Sequence, residues 1–151
     1  MSKLAIALVI LAAALTGCMS DEESLKYSAE KQVSAMLKDP DSARFSGLYL
    51  VPGAVREKMQ DVAICGLVNG KNGFGGYGGV ERFVAYGYKG TVGGSKLLGV
   101  SRANFEGADR RATLGTVDTP NKATIFEEIH WNEACVDKAH PPTYSGEEYQ
   151  N

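Results

Sequence analysis

Between Asp61 and Asn69 the chain reads D-V-A-I-C-G-L-V-N, and both of its alternating faces are apolar. Val62, Ile64, Gly66 and Val68 share one face; Ala63, Cys65 and Leu67 share the other. A half-solvated strand alternates apolar with polar residues, whereas a strand apolar on both faces must be covered on both sides. The stretch therefore reads as a central strand, and the rest of the chain must supply its neighbours and two covering layers.

One cover is written just upstream. Ser20-Asp21-Glu22-Glu23 is S-x-x-E, the signature of a capping box at a helix start. Leu25, Ala29, Val33, Met36 and Leu37 then fall on one helical face, with Lys26, Glu30 and Lys31 off it. Lys38-Asp39-Pro40 ends the helix, and Asp39 is placed to cap a short turn with Pro40 first.

A second helix is expected downstream, opened by Thr119-Pro120 and carrying Ile125, Phe126, Ile129 and Val136 near one face. Glu127, Glu128, Asn132 and Glu133 fall mostly outside that face. A strand over residues 123–131 competes, because Thr124, Ile125 and Phe126 favour sheets.

The neighbouring strands are Phe45 to Val51, ended by Pro52-Gly53, then Val80 to Tyr88 and Lys96 to Ser101 around the turn Val92-Gly93-Gly94-Ser95. Residues 54–60 form an undecided connection, and residues 102–118 read as loop. The expected fold is α+β: N-terminal and C-terminal helices on a small antiparallel sheet, with one disulfide.

The chain begins Met1-Ser2-Lys3, followed by an apolar run from Leu4 to Leu15 and then Leu15-Thr16-Gly17-Cys18. One cation and about a dozen apolar residues make a signal-peptide leader, too short for the ~20-residue span of a bilayer helix. L-T-G-C resembles the lipobox of bacterial lipoproteins. The resemblance implies acylation of Cys18, cleavage before it, and, with Met19 rather than Asp next, an outer-membrane address facing the periplasm. The domains expected are a signal peptide (1–17), one lipid-anchored domain (18–138) and a flexible tail (139–151). Removing 17 of 151 residues leaves 134, enough for one core.

Sixteen basic and 18 acidic side chains give a balance of −2, and loss of Lys3 makes it −3. The basic residues are scattered, with Arg110-Arg111 the only adjacent pair, so there is no nucleic-acid footprint. With Cys18 acylated, Cys65 and Cys135 remain. An even remainder in an oxidising compartment reads as a disulfide, worth about 4 kcal/mol for a loop of ~70 residues. The competing reading is a nucleophilic Cys with His130 or His140 as base, and the spacing of these residues matches no zinc motif.

Residues 69–80, N-G-K-N-G-F-G-G-Y-G-G-V, contain G-x-G-x-x-G at Gly73, Gly75 and Gly78. A dinucleotide fingerprint needs a helix after its glycines, but Val80 to Tyr88 has strand period. A kinase loop would need V-A-I-K, H-R-D and D-F-G, and these are missing from the sequence. Neither nucleotide nor cofactor is expected. The stretch reads instead as a strand-to-strand turn, with Asn69, Lys71, Asn72, Phe74 and Tyr77 as a candidate partner-binding loop. The orientation of Phe74 and Tyr77 is open.

D-P-D-S-A-R-F (Asp39 to Phe45), C-G-L-V-N-G-K-N-G-F-G-G-Y-G-G (Cys65 to Gly79) and the W-x-x-x-C of Trp131 to Cys135 together resemble a family of small exported bacterial proteins. That family carries D-P-x-S-A-x-F and C-G-x-V-N-x-K-N-x-F-G-G-Y-x-G, with Ala where this chain has Gly70. The resemblance supports the fold and the disulfide and names no chemistry. Ser46-Gly47-Leu48-Tyr49, partly echoed at Tyr144-Ser145-Gly146, resembles the S-G-x-Y loop of periplasmic lysozyme inhibitors.

The expected function is a non-catalytic binding or structural module of the cell envelope, with membrane contact through the lipid and a protein partner. The alternative is an inhibitor of a lysozyme-type lytic enzyme. A small hydrolase ranks lower, since Asp61, Glu81, Glu127 and Glu128 show no pairing in the sequence. Cys18→Ser is expected to yield unacylated protein that fractionates away from membranes; unchanged fractionation would refute the anchor.

Overall fold

The computed structural model describes residues 19–107, 113 and 123–146. The leader, Cys18, Arg110-Arg111 and the expected helix start at Thr119-Pro120 lie outside the described residues. A helix, α1 (Asp21–Ser34), and a short 3-10 turn (Pro40–Ser42) precede four strands: β1 (Arg44–Arg56), β2 (Met59–Lys71), β3 (Tyr77–Val92) and β4 (Ser95–Phe105). The strands form one antiparallel sheet in chain order. A π-helical segment, Glu127–Trp131, continued by one α-helical turn, Asn132–Ala134, follows. The chain is thus α+β, a four-stranded antiparallel sheet with a few helices and one disulfide.

α1 starts where its sequence signals. The Ser20 hydroxyl accepts from the Glu23 amide, and the Glu23 carboxylate accepts from the Ser20 amide. Its apolar face buries Leu25, Ala29 and Val33 completely, while Met36 stays exposed. Across from it, Val62, Ile64 and Val68 of β2 and Phe83 and Ala85 of β3 complete one core. Complete burial of Leu25 and Val33 contributes about 1.5–3 kcal/mol each.

On the other face of the sheet, Ala63, Cys65 and Val84 pack against Phe126, Trp131 and Cys135. β2 is therefore covered on both faces, as its residue pattern requires. Cys65 and Cys135 are bonded, with Cα atoms 5.9 Å apart.

Three elements differ from expectation. β1 does not stop at Pro52-Gly53; it continues to Arg56, with an irregularity between Pro52 and Val55. β1 is an edge strand, where a proline removes no needed ladder bond. Residues 54–60 become the end of β1, a Glu57-Lys58 turn and the start of β2. Gly90 fits against this turn: an added Cβ would lie 2.1 Å from the Lys58 carbonyl oxygen.

β4 runs on through residues 102–105, where the polar and glycine-rich sequence predicts a loop. A bulge, where Tyr86-Gly87 face Arg102 and Val100, inserts Ser101. That extra residue resets the alternation, so Leu98 and Val100 before it, and Ala103 and Phe105 after it, all pack on the same core. The hairpin between β3 and β4 turns at Gly93-Gly94, both at positive φ, as a two-residue turn requires.

Residues 139–146, the start of the expected tail, carry hydrogen bonds to the body. Thr143 exchanges two hydrogen bonds with the Asn132 side chain, each 2.9 Å.

Cys65→Ser with Cys135→Ser is expected to cost about 2–5 kcal/mol in urea unfolding. Native protein should present neither thiol to a labelling reagent until it is reduced.

Candidate functional site

The glycine-rich stretch closes the hairpin between β2 and β3. Lys71 pairs with Tyr77, and the turn between them is organised by Asn72. The Asn72 carboxamide oxygen accepts from the amides of Phe74 (2.9 Å) and Gly76 (3.2 Å). The Asn72 amide donates to the Gly76 carbonyl at 2.7 Å, and its carbonyl accepts from Gly75 at 3.0 Å. Such side-chain closure of a turn is what asparagine offers there. Gly78 lies within β3, so the G-x-G-x-x-G glycines do not lead into a helix.

The hairpin is also braced from outside. Ser42, in the 3-10 turn, donates to the Asp39 carbonyl at 2.7 Å and accepts from the Lys71 amide at 2.8 Å. Its carbonyl accepts from the Tyr77 hydroxyl at 3.4 Å. The Arg44 guanidinium lies 4.4 Å from the Tyr77 ring centre, and Phe45 meets Phe83 edge-on at 5.7 Å. D-P-D-S-A-R-F and the glycine-rich motif are thus two halves of one unit, joined through Ser42 and Arg44.

The two aromatics of the hairpin part company. Tyr77 folds back on Arg44 and Ser42, whereas Phe74 is fully exposed at 101%. Lys71 and Asn72 share the tip with Phe74. Asn69 does not belong to this surface: it sits within β2 opposite Arg44 and Val80. Its side-chain oxygen is buried without a hydrogen-bond partner.

A second constellation lies on the far face of the sheet, and the sequence reading missed it. Glu127, expected on a solvated face, is completely buried. The Arg82 guanidinium donates to it from Nη1 at 3.0 Å and grips Glu106 through Nε (3.1 Å) and Nη2 (2.5 Å). The Arg82 guanidinium carbon lies 5.3 Å from the Trp131 ring and 5.7 Å from that of Phe126.

Thr124 and Glu127 exchange hydrogen bonds, the Thr124 amide to the carboxylate at 2.9 Å and the Glu127 amide to the hydroxyl at 3.2 Å. This is a T-x-x-E capping box, a signal present in the sequence and overlooked there. Thr143 and Ser145 also donate to the Glu127 carboxylate. Burial pushes the Glu127 pKa up, but the bonds from Thr124, Ser145 and Thr143 outweigh it and hold it at about 2. Burial likewise opposes the charge on Arg82, and Glu106 and Glu127 overcome it. Asp61, by contrast, makes an exposed pair with Arg56 at 3.5 Å.

The remaining candidates are also placed. Tyr49, the last residue of S-G-x-Y, lies under residues 135–140: its hydroxyl donates to the Cys135 carbonyl at 2.9 Å, and His140 stacks on its ring at 3.6 Å. Burial, aided by Asp137, raises the Tyr49 pKa to about 12. Ser46 to Tyr49 is thus a bulge in an edge strand rather than a projecting loop.

His130 meets the Tyr86 hydroxyl through Nδ1 at 3.0 Å. Burial, then Arg102, lowers the His130 pKa, which favours the uncharged ring. Neither histidine serves a free thiol, since Cys65 and Cys135 are bonded to each other and buried. No group of three or more His, Cys, Asp or Glu placed to hold a metal occurs among the described residues. A cleft of about 420 Å³ beside Tyr86 is bordered by Pro52, Asp61, Tyr88, Arg102 and Glu133.

Compared with known proteins, the chain matches no family model, no curated protein and no solved structure.

Because Glu127 has a folded pKa near 2 against an ordinary 4.5, its carboxylate stabilises the fold fully above about pH 5. That share is lost as pH falls toward 2. Glu127→Gln breaks a buried pair and should cost about 3–5 kcal/mol in urea unfolding. It should also flatten the acid limb of the stability profile. An unchanged midpoint and acid limb would refute the assignment.

Proposed function

We propose that this chain is an exported, lipid-anchored binding module that recognises a protein partner of the cell envelope through the β2–β3 hairpin and carries out no catalysis itself. The observation that carries this reading is Phe74. A wholly exposed phenylalanine stands on a turn closed by Asn72 and braced by Ser42 and Arg44. Aromatic residues are the characteristic anchors of protein interfaces. A braced loop also loses little conformational freedom when it binds. Lys71 and Asn72 beside Phe74 supply polar groups for a rim.

The L-T-G-C sequence supports the anchor, and the Cys65–Cys135 bond suits an oxidising compartment. In this reading the mature protein sits on the outer membrane and faces the periplasm, with Cys18 acylated. Inhibition of a lytic enzyme through S-G-x-Y draws no support from Tyr49, whose hydroxyl is committed to the Cys135 carbonyl.

Phe74→Ala should change stability by less than about 0.5 kcal/mol, since the ring is solvated, while removing capture of the partner from envelope extracts. Tyr77→Ala, which loses the Arg44 and Ser42 contacts, should instead lower the unfolding midpoint. If Phe74→Ala destabilised the fold or left capture intact, the hairpin would not be the recognition element.

A further inference from the structure

We propose that the end of the sheet formed by the β1–β2 and β3–β4 hairpins rests on the phospholipid surface, and that the Phe74 hairpin points away from it; this rests on the lipid-anchor reading above. The sheet has two poles. One carries the Phe74 turn and the start of β1, with Leu37 at the end of the helical face packed against Gly70. The other carries the turns Glu57-Lys58 and Gly93-Gly94. These two turns abut, since the Thr91 amide donates to the Lys58 carbonyl at 3.2 Å.

The start of α1 belongs to this second pole, because Lys96 of β4 pairs with Asp21. Met19 directly follows Cys18, and consecutive Cα atoms are about 3.8 Å apart. Acyl chains on Cys18 would therefore hold this pole, and not the other, within a few ångströms of the headgroups.

The pole is built to meet such a surface. Val55 is 67%, Val92 57%, Met19 55% and Leu97 44% exposed, and all four belong to chain segments that end at this pole, Val55 on the α1 face of the sheet and Val92 and Leu97 on the other. Lys58, Lys89 and Lys96 stand among them, and lysine stems can lie along an apolar boundary while their ammonium groups reach water or phosphate. Glu57 and the acids of the first turn of α1 offset that charge. Apolar contact therefore carries the docking, with little dependence on salt.

β3 spans 16 residues from Tyr77 to Val92, and at ~3.3 Å per residue that is about 50 Å. With β3 standing along the membrane normal, the Phe74 turn lies well beyond the headgroup layer. The partner it reaches lies in the space beyond the anchoring membrane, not in that membrane.

The test uses the full chain, expressed with its leader and reconstituted in vesicles of phosphatidylethanolamine and phosphatidylglycerol. Val92→Cys and Phe74→Cys each offer one thiol to an environment-sensitive fluorophore, since Cys65 and Cys135 are bonded and Cys18 is acylated. Quencher-bearing lipid should remove most of the emission at position 92, at low and high salt alike, and leave position 74 unaffected. Acylated protein, verified by mass, that is quenched at 74 or unquenched at 92 overturns the docking pole while the anchor stands. Protein without acyl chains overturns the anchor reading and this inference with it.

Discussion

A carboxylate buried on one face of the sheet sets the terms for everything packed over that face. Glu127 cannot stay charged in an apolar setting without donors, and five groups converge on it: the Arg82 guanidinium, the Thr124 amide, the Thr143 hydroxyl, and the amide and hydroxyl of Ser145. An uncompensated buried charge is among the costlier defects a fold can carry. The donors come from β3, the approach to the second helical segment, and the chain beyond Cys135. Their convergence fastens three stretches of chain to one point. The disulfide and the Tyr49 hydroxyl fasten the same layer a short distance away. A short helical segment, too small to be stable alone, is thus held by polar and covalent ties that its own apolar surface could not replace.

The two sides of the sheet solve the covering problem differently. α1 is a capped helix of 14 residues whose buried face is aliphatic, and it lies on β3 and β4 by apolar contact. The opposite cover is short, aromatic and polar, and depends on Arg82, Glu127 and the disulfide. The Phe74 hairpin belongs to neither cover. It is fixed at its base by Ser42, Arg44 and Asn72, and it leaves the Phe74 side chain in solvent. Rigidity at the base and exposure at the tip suit a surface that binds without rearranging.

Much of this could be read from residue order. The S-x-x-E box set the start of α1, the doubly apolar Asp61–Asn69 stretch predicted a central strand, and Val92-Gly93-Gly94-Ser95 predicted a turn. The Cys65–Cys135 pair was expected from the even cysteine remainder left by the expected acylation of Cys18. What escaped were features that depend on a residue out of phase or a partner distant in sequence. Ser101 shifts the alternation of β4 by one residue, which hides Ala103 and Phe105 as core positions. Pro52 ends a strand in a local reading but is tolerated at a sheet edge. Glu127 reads as solvated because it falls off the apolar helical face with Glu128, Asn132 and Glu133, and its main cation, Arg82, is 45 residues away.

The candidate site divides along the same line. The sequence by itself determined which residues form the turn, because glycine and asparagine chemistry is local and strand periods lie on either side. It also carried the two motifs that meet at Ser42, without saying that they meet. Only the tertiary structure decided that Tyr77 turns back onto Arg44 while Phe74 stands in water. The physical reason is that side-chain direction in a hairpin depends on what the neighbouring elements offer. Ser42 and Arg44 reach the turn only once β1 has paired with β2 and brought residues about 30 positions apart into contact.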